Sequence, residues 1–572
     1  MLPKLLAISV FLLLASVVSG QILVNTTNGE IEGQVESGRV TPLNIVTFYG
    51  IPYAGNVDGE NRFKAAPPPP VFPGIFHAHV SNIRCAQPTD NGLVGVENCL
   101  VLNVQTRNTT GSRPVMVWLM GENYATGSYE NVNFSRFVEI EDVLVVTMNY
   151  RLSIFGFLCL GVEEAPGNAG LKDVIAGLRW VRDNIAAFGG DPNNVLLAGH
   201  GSGGAMVDLV TLSPLGTGLV HKAIAQSGTA LSPWAVSYNP IESARSVAAR
   251  LDTTETDPAQ LALRLRNTDL NVMIPALDAP TAPNNVPLFA PCVENRNLES
   301  EDHFLLQDPL SIIKSGEYSH IPFITGYTNR EGSVRAQHAV HNNWLETMES
   351  NFENFIPIDI DLSQQENRTE IIASIRNFYF AERTVPSSIQ DYLDYHGDTI
   401  ALVSAIRTAA ERSVTSRAEV RLYEFSYIGN WVNEWPFPSI ALNGARHGNE
   451  LVYLLGTGTR FDGNAVDNTV RDSLTRRWAA FARTGLPLTA VSPGNIEWFP
   501  VTPIETRYLE YVEVTENAVV ENAVVNPHSQ RMNLWYNLYD QFYVAPQPVS
   551  SADKIFSCAF LVLICMGLMK LF

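Results

Sequence analysis

Basic side chains are scarce in this 572-residue chain: 38 Lys and Arg face 58 Asp and Glu, a net charge of −20. That shortage excludes nucleic acid or an anionic membrane surface as a partner, because both require an excess of positive charge. Cysteine is also sparse, with six residues, too few for a disulfide scaffold of this length. No metal-ligand spacing, phosphate-cradling loop or dinucleotide fingerprint occurs, so no metal and no cofactor is expected. There is no internal repeat, and the only low-complexity tract is Pro67–Pro70, which reads as an extended surface segment.

The two ends carry addressing signals. Lys4, the apolar stretch Leu5–Val18 and the small residues Val18-Ser19-Gly20 read as a signal peptide over 1–20, with a mature start near Gln21. Export agrees with four glycosylation sequons, at Asn25, Asn108, Asn133 and Asn367. Residues 546–572 end in the apolar run Ile555–Met569, which holds Cys558 and Cys565 and is short for a spanning helix of roughly 20 residues. Small residues at Ser550, Ser551 and Ala552 before that run favour a lipid-anchor signal; a short tail anchor and a soluble product are the alternatives.

Between the ends, 46% hydrophobic and 17% charged residues give ordinary globular composition with ample core. From Ile22 to Arg107, short apolar runs broken by Gly, Asn and Pro suggest a small antiparallel sheet. Continuous apolar runs at Val115–Leu119, Val143–Met148 and Val195–Ala198 read as buried parallel strands, followed by His221–Gln226 and Phe323–Thr325. Helical spacing over Leu171–Phe188 supplies a crossover, so the fold class is α/β with a mostly parallel sheet and helices on both faces. Stretches around Thr253–Arg296 and Pro357–Arg383 read as helical excursions above that sheet.

Directly after the strand Val195–Ala198 comes Gly199-His200-Gly201-Ser202-Gly203-Gly204. A nucleophile turn of the form Gly-x-Ser-x-Gly places a serine on a strained strand-to-helix corner. Here the flanking glycines, Gly199 and Gly203, have the right spacing, but the corner residue is Gly201.

Arg179–Gly228 resembles the core of type-B carboxylesterases and cholinesterases, which have the α/β-hydrolase fold. The likeness extends through FYGIPYA (48–54), ENCLVLNV (97–104), PVMVWLMG (114–121), NYRLSIFGFL (149–158), GNAGLKD (167–173), TNREGS (328–333), RHGNEL (446–451), RRWAAFARTGLP (476–487) and WFP (498–500). It implies one such domain over 21–545. Family spacing from Pro192 and from Pro214 both lands the nucleophile on Gly201. The resemblance assigns the acid to Glu331 and the base to His447, and pairs Cys85 with Cys99. It offers no second bridge, so Cys159 and Cys292 are expected as buried thiols.

Glycine has no atom to attack a carbonyl, and in a serine protease of the same logic such a loss costs on the order of 10⁶ in turnover. The oxyanion stretch is altered too: after Gly121, Glu122 and Asn123 stand where the family has glycines. Ser202 is a fallback nucleophile, but one residue into a helix it points roughly 100° away from the corner. Helix N-terminal hydrogen bonding is its better role. Ser227 falls on a structural serine of the family, and no tryptophan lies between Cys85 and Cys99 to form a choline platform.

The resemblance therefore implies a catalytically inactive, exported glycoprotein at the cell surface. Its partner is expected to be another extracellular or cell-surface protein, with homodimerisation open. The alternatives are a binder of a small apolar ligand in the vestigial gorge, and an ester hydrolase using Ser202.

Overall fold

Alternate residues of the central strands bury into two different cores, which is why these runs are apolar throughout. Val115, Val117, Val195 and Leu197 pack with Leu171, Val174 and Leu178 of helix Ala169–Asn184, and with Met206 and Leu209 of helix Ser202–Leu212. Met116, Trp118, Leu196 and Ala198 face the opposite way, against Leu474, Trp478 and Phe481 of helix Ala465–Thr484. The sheet is thus covered on both faces. The computed structural model describes residues 22–89, 92–129, 132–299, 302–456, 465–487, 497–515 and 518–549. The expected signal peptide and the tail from Ser550, including Ser551, Ala552, Cys558 and Cys565, lie outside them.

The strands are β1 (Ile22–Thr26), β2 (Gly29–Ser37), β3 (Asn44–Pro52), β4 (Phe76–His77), β5 (Gln87–Thr89), β6 (Gly92–Val94), β7 (Val101–Thr106) and β8 (Arg113–Leu119). They continue as β9 (Leu144–Met148), β10 (Gly190–His200), β11 (Lys222–Gln226), β12 (Phe323–Thr328), β13 (Val420–Phe425), β14 (Arg507–Thr515) and β15 (Ala518–Val525). Among the described residues the main sheet runs β1-β2-β3-β7-β9-β8-β10-β11-β12-β13-β14-β15, with β4 on β2, and β5-β6 form a separate antiparallel pair. Pairing is parallel from β9 through β14 and antiparallel towards both edges. The antiparallel strands expected near the N-terminus are present and continue into the central sheet through β3, β7 and β9. The expected excursions contain helices Pro258–Arg266, Leu270–Ala276 and Arg368–Phe380.

Segments 149–158 and 167–173 meet in the interior for a structural reason. Arg151 donates from Nε to Asp173 Oδ2 at 2.7 Å and from Nη2 to Oδ1 at 2.6 Å, both side chains being buried. This fork-on-carboxylate geometry satisfies both ions and locks helix Ala169–Asn184 against the chain that follows β9.

Cys85 and Cys99 are bonded as expected. Cys159 and Cys292, expected as separate thiols, form a second disulfide with a Cα–Cα distance of 6.6 Å. Asn168 brings them together: its Nδ2 donates to Cys292 O and its Oδ1 accepts from Cys292 N, each at 2.9 Å. At a separation of 133 residues nothing in local spacing announces the pair. The sequon asparagines Asn25, Asn108 and Asn367 are exposed, whereas Asn133 is half-buried and its Oδ1 accepts from Ser135 N at 2.8 Å. Among the described residues, no helix is long and apolar enough to cross a membrane.

Candidate active site

Loops from five neighbouring strands converge at the carboxyl edge of the parallel sheet, the usual place for a site in α/β folds. Gly121 follows β8, Gly201 follows β10, Ser227 follows β11, Glu331 follows β12, and the loop after β13 leads to His447. Gly201 has φ 58° and ψ −125°, so the strained corner is retained although no serine occupies it. Its N–H donates to Gln226 O at 2.8 Å, and its carbonyl accepts from Ala205 N at 3.0 Å.

The glycines of this turn are not equivalent. A β-carbon at Gly199 would strike Gly203 C at 2.7 Å, and one at Gly203 would strike Leu119 O at 2.5 Å. Both are required by the close crossing of strand and helix. At Gly201 a β-carbon would meet Gly121 O at 3.6 Å and His447 Nε2 at 3.8 Å, ordinary contact distances. Packing therefore leaves room for a side chain at the corner.

The two residues expected as acid and base are brought into contact. His447 Nδ1 is hydrogen-bonded to Glu331 Oε2, and Glu331 Oε1 accepts from Thr328 N at 2.7 Å. The loops that carry them are joined backbone to backbone, Arg330 N donating to Ala445 O at 3.0 Å, and His447 N donates to Ser333 Oγ at 3.2 Å. Burial would raise the Glu331 carboxyl, but the His447 imidazole and the Thr328 amide hold it below the ordinary range. Burial would lower His447, yet the charge and hydrogen bond of Glu331 raise it above an ordinary histidine. Glu331 is 1% exposed and the His447 side chain 24% exposed, so the base still faces an accessible space.

Beside this dyad lies a second His–Glu contact that sequence reading did not assign. His200 Nε2 is 3.7 Å from Glu450 Oε1, and Gln226 Nε2 donates to the same oxygen at 3.4 Å. Burial drives His200 down to about 3, helped by His447, and burial drives Glu450 up to about 7, helped by Glu331. Glu450, three residues after His447, carries no signal of its own in the sequence, because an acid at a helix start reads as a solvated end group.

The altered oxyanion stretch has an unexpected backbone. Asn123 and Tyr124 both take left-handed conformations, φ 56° and 59°. Asparagine tolerates that region better than other non-glycine residues, which suits Asn123 to its place in the turn. Gly121 packs directly on the helix start: a β-carbon there would overlap Gly203 N at 2.0 Å. The exposed Glu122 side chain folds back along its own turn, Oε2 accepting from Thr126 Oγ1 at 3.1 Å.

Ser202 occupies the first helical position and is buried. Its Oγ accepts from Tyr124 N at 3.1 Å, tying the oxyanion loop to the nucleophile helix. Among the described residues it has no hydrogen bond to His447. The structure brings Gly121, Gly201, Ser202, Glu331 and His447 together, and Gly201 offers His447 no hydroxyl.

A profile described as Carboxylesterase family matches residues 20–535. Juvenile hormone esterase of Tribolium castaneum is 30% identical over 495 residues, covering 81% of this chain and 84% of that protein. Bile salt-activated lipase of Homo sapiens is 29% identical over 523 residues, covering 85% of this chain and 66% of the lipase. The crystal structure of juvenile hormone esterase from Manduca sexta with OTFP covalently attached superposes with a TM-score of 0.80 at 25% identity, covering 91% of this chain and 100% of the other.

Proposed function

The chain belongs to the carboxylesterase family, and from that premise we propose that it is a non-hydrolytic member, an extracellular glycoprotein that binds a protein partner at the cell surface. One observation carries this reading: the corner residue is Gly201, so the β-carbon that would lie 3.8 Å from His447 Nε2 and carry a nucleophile is missing. An ester carbonyl placed there meets a base but no attacking side-chain atom, so no acyl-enzyme forms. Esterases are among its relatives, and their activity is not transferred to this chain, because function follows the site rather than the fold. Two disulfides and exposed sequons at Asn25, Asn108 and Asn367 support an oxidising, exported setting. Attachment through the C-terminal apolar run is part of the proposal.

A fluorophosphonate probe followed by peptide mapping tests the chemistry, with no labelled peptide expected. Label on Ser202 overturns the reading in favour of an ester hydrolase. Saturable binding of the purified ectodomain to intact cells tests the partner half.

A cavity of about 630 Å³ favours a second reading. It is lined in part by Val432, Trp435, Leu442, Arg446 and Asn449, the last two flanking His447 in sequence. Asn430, Asn433 and Glu434 line it as well, so it suits a small ligand that carries polar groups beside an apolar part resting on Trp435. Saturable uptake of such a ligand that is lost on Trp435→Ala would support this reading.

A further inference from the structure

On the antiparallel side of the sheet, the outward face of β2 carries Glu32, whose carboxylate is only 11% exposed. It is not turned into the core: its neighbours Ile31 and Gly33 point the other way, and Ile31 is fully buried in the main core. What covers Glu32 is a row of cross-strand neighbours. Register places Leu23 of β1 on one side of it and His77 of β4 on the other.

The chain after β4 is held in a three-residue turn, His79 N donating to His77 O at 3.0 Å. His77 and His79 are exposed while Ala78 between them is fully buried, so both imidazoles stand on the same side. That segment is pinned by backbone bonds from both neighbours: Ala78 N donates to Glu32 O at 2.9 Å, and Tyr49 N donates to Ala78 O at 2.8 Å. His77 Nδ1 contacts Glu32 Oε2 directly, and the two imidazole centroids lie 5.8 Å apart. One ligand atom from each of the three residues falls within 4.8 Å of the others, the one such His, Cys and carboxylate group among the described residues.

We propose that Glu32, His77 and His79 form a binding site for a divalent transition-metal ion of the zinc type. A hydrogen bond accounts for one histidine on the carboxylate but gives no role to a second imidazole held on the same face. Two imidazoles and one carboxylate are a ligand set for zinc-like ions, and the two nitrogens disfavour calcium and magnesium, which take oxygen. Tetrahedral bonds of about 2.0–2.1 Å need donors roughly 3.3 Å apart. The ligand atoms now lie within 4.8 Å of one another, and the side chains that must rotate to close that gap, His77 and His79, are the exposed ones. The carboxylate is anchored in the sheet and the imidazoles come to it. A fourth position is left on the solvent side. Bound metal would tie β2 to the loop ending at His79, across 45 residues between Glu32 and His77. Sequence spacing could not show this site, because its acid and its histidines come from different strands.

The intact chain, purified without a histidine tag and stripped with a chelator, is titrated with zinc chloride by calorimetry. One zinc per chain at micromolar concentration is expected, with a tetrahedral cobalt absorption band when cobalt chloride replaces zinc. His77→Ala, His79→Ala and His79→Asn each change an exposed side chain, so metal-free melting should equal the parent. Each should weaken zinc binding by more than the ~10–100-fold that loss of an outer-shell partner costs. Glu32→Gln, which keeps the shape and removes the charge, should do the same. Absence of micromolar zinc binding, zinc binding unchanged in the single histidine variants, or equally tight binding of calcium would each overturn the site.

Discussion

The imidazole of His200 lies against that of His447, ring centroids 4.5 Å apart and planes tilted by 52°, and the two are driven in opposite directions. Burial and the neighbouring His447 push His200 down to about 3, while Glu331 lifts His447 against its own burial. At neutral pH, His200 is therefore an uncharged ring beside the base.

This opposition predicts an acid sensitivity with a named source. Between the ordinary 6.5 and about 3, the unfolded chain carries a proton at His200 and the folded chain does not. Stability from this residue is thus present above the ordinary histidine value and is lost as pH falls through that window. Glu450 acts oppositely: with its carboxyl raised from 4.5 to about 7, its contribution is present below 4.5 and lost as pH rises through about 7. His200→Gln should flatten the fall in melting temperature between pH 6.5 and pH 4, and Glu450→Gln should flatten the fall on the neutral side. Parallel melting curves for parent and variants would contradict this assignment.

Restoring the nucleophile is a direct test of how much of the site remains. The left-handed corner at Gly201 costs a side chain roughly 1–3 kcal/mol, so Gly201→Ser should melt somewhat lower than the parent. Its hydroxyl has room beside His447 Nε2 and should take a fluorophosphonate label. Turnover of an activated ester should rise above background yet fall short of a full esterase by about 10²–10³, the cost of one misplaced oxyanion donor. Adding Glu122→Gly should recover part of that gap. A folded Gly201→Ser chain with neither label nor turnover would show that the dyad is no longer poised.

Much of this site is legible in the sequence, because catalytic loops sit at strand ends and keep their spacing to the strands. Gly201, Glu331 and His447 meet where the motifs place them, and β8, β9, β10 and the following helix form where apolar runs and helical spacing put them. What escapes is whatever depends on two distant segments touching. Glu450 beside His200, Cys159 bonded to Cys292, and Glu32 facing His77 are all set by tertiary approach, and no periodicity encodes them. The left-handed turn at Asn123 and Tyr124 escaped for another reason: asparagine enters that region more readily than most residues, but nothing in the sequence marks Tyr124 for it.

Ser202 is expected to behave as a structural hydroxyl. Its Oγ is the acceptor for Tyr124 N, and both groups are buried. Ser202→Ala strands that amide, at a cost of about 1–3 kcal/mol for an unsatisfied buried donor. The variant should melt lower, while its reaction with fluorophosphonate and activated esters stays at the level of the parent. Loss of a measurable esterase rate in Ser202→Ala would instead make Ser202 the nucleophile.

The Cys159–Cys292 bridge should matter more to stability than its short partner. Closing a loop restricts the unfolded chain in proportion to the logarithm of its length, and this loop spans 133 residues against 14 for Cys85–Cys99. In the chain-entropy account a loop of roughly 100 residues is worth about 4.7 kcal/mol and one of roughly 15 about 3 kcal/mol. The paired replacement Cys159→Ser with Cys292→Ser should therefore lower stability more than Cys85→Ser with Cys99→Ser in denaturant melts of otherwise identical protein. Peptide mapping without reductant supplies the prior check, a single crosslinked species joining the segments around Cys159 and Cys292. If that species is missing while both thiols alkylate freely in the denatured chain, the second bridge does not form. The clamp made by Asn168 would then hold two reduced cysteines side by side.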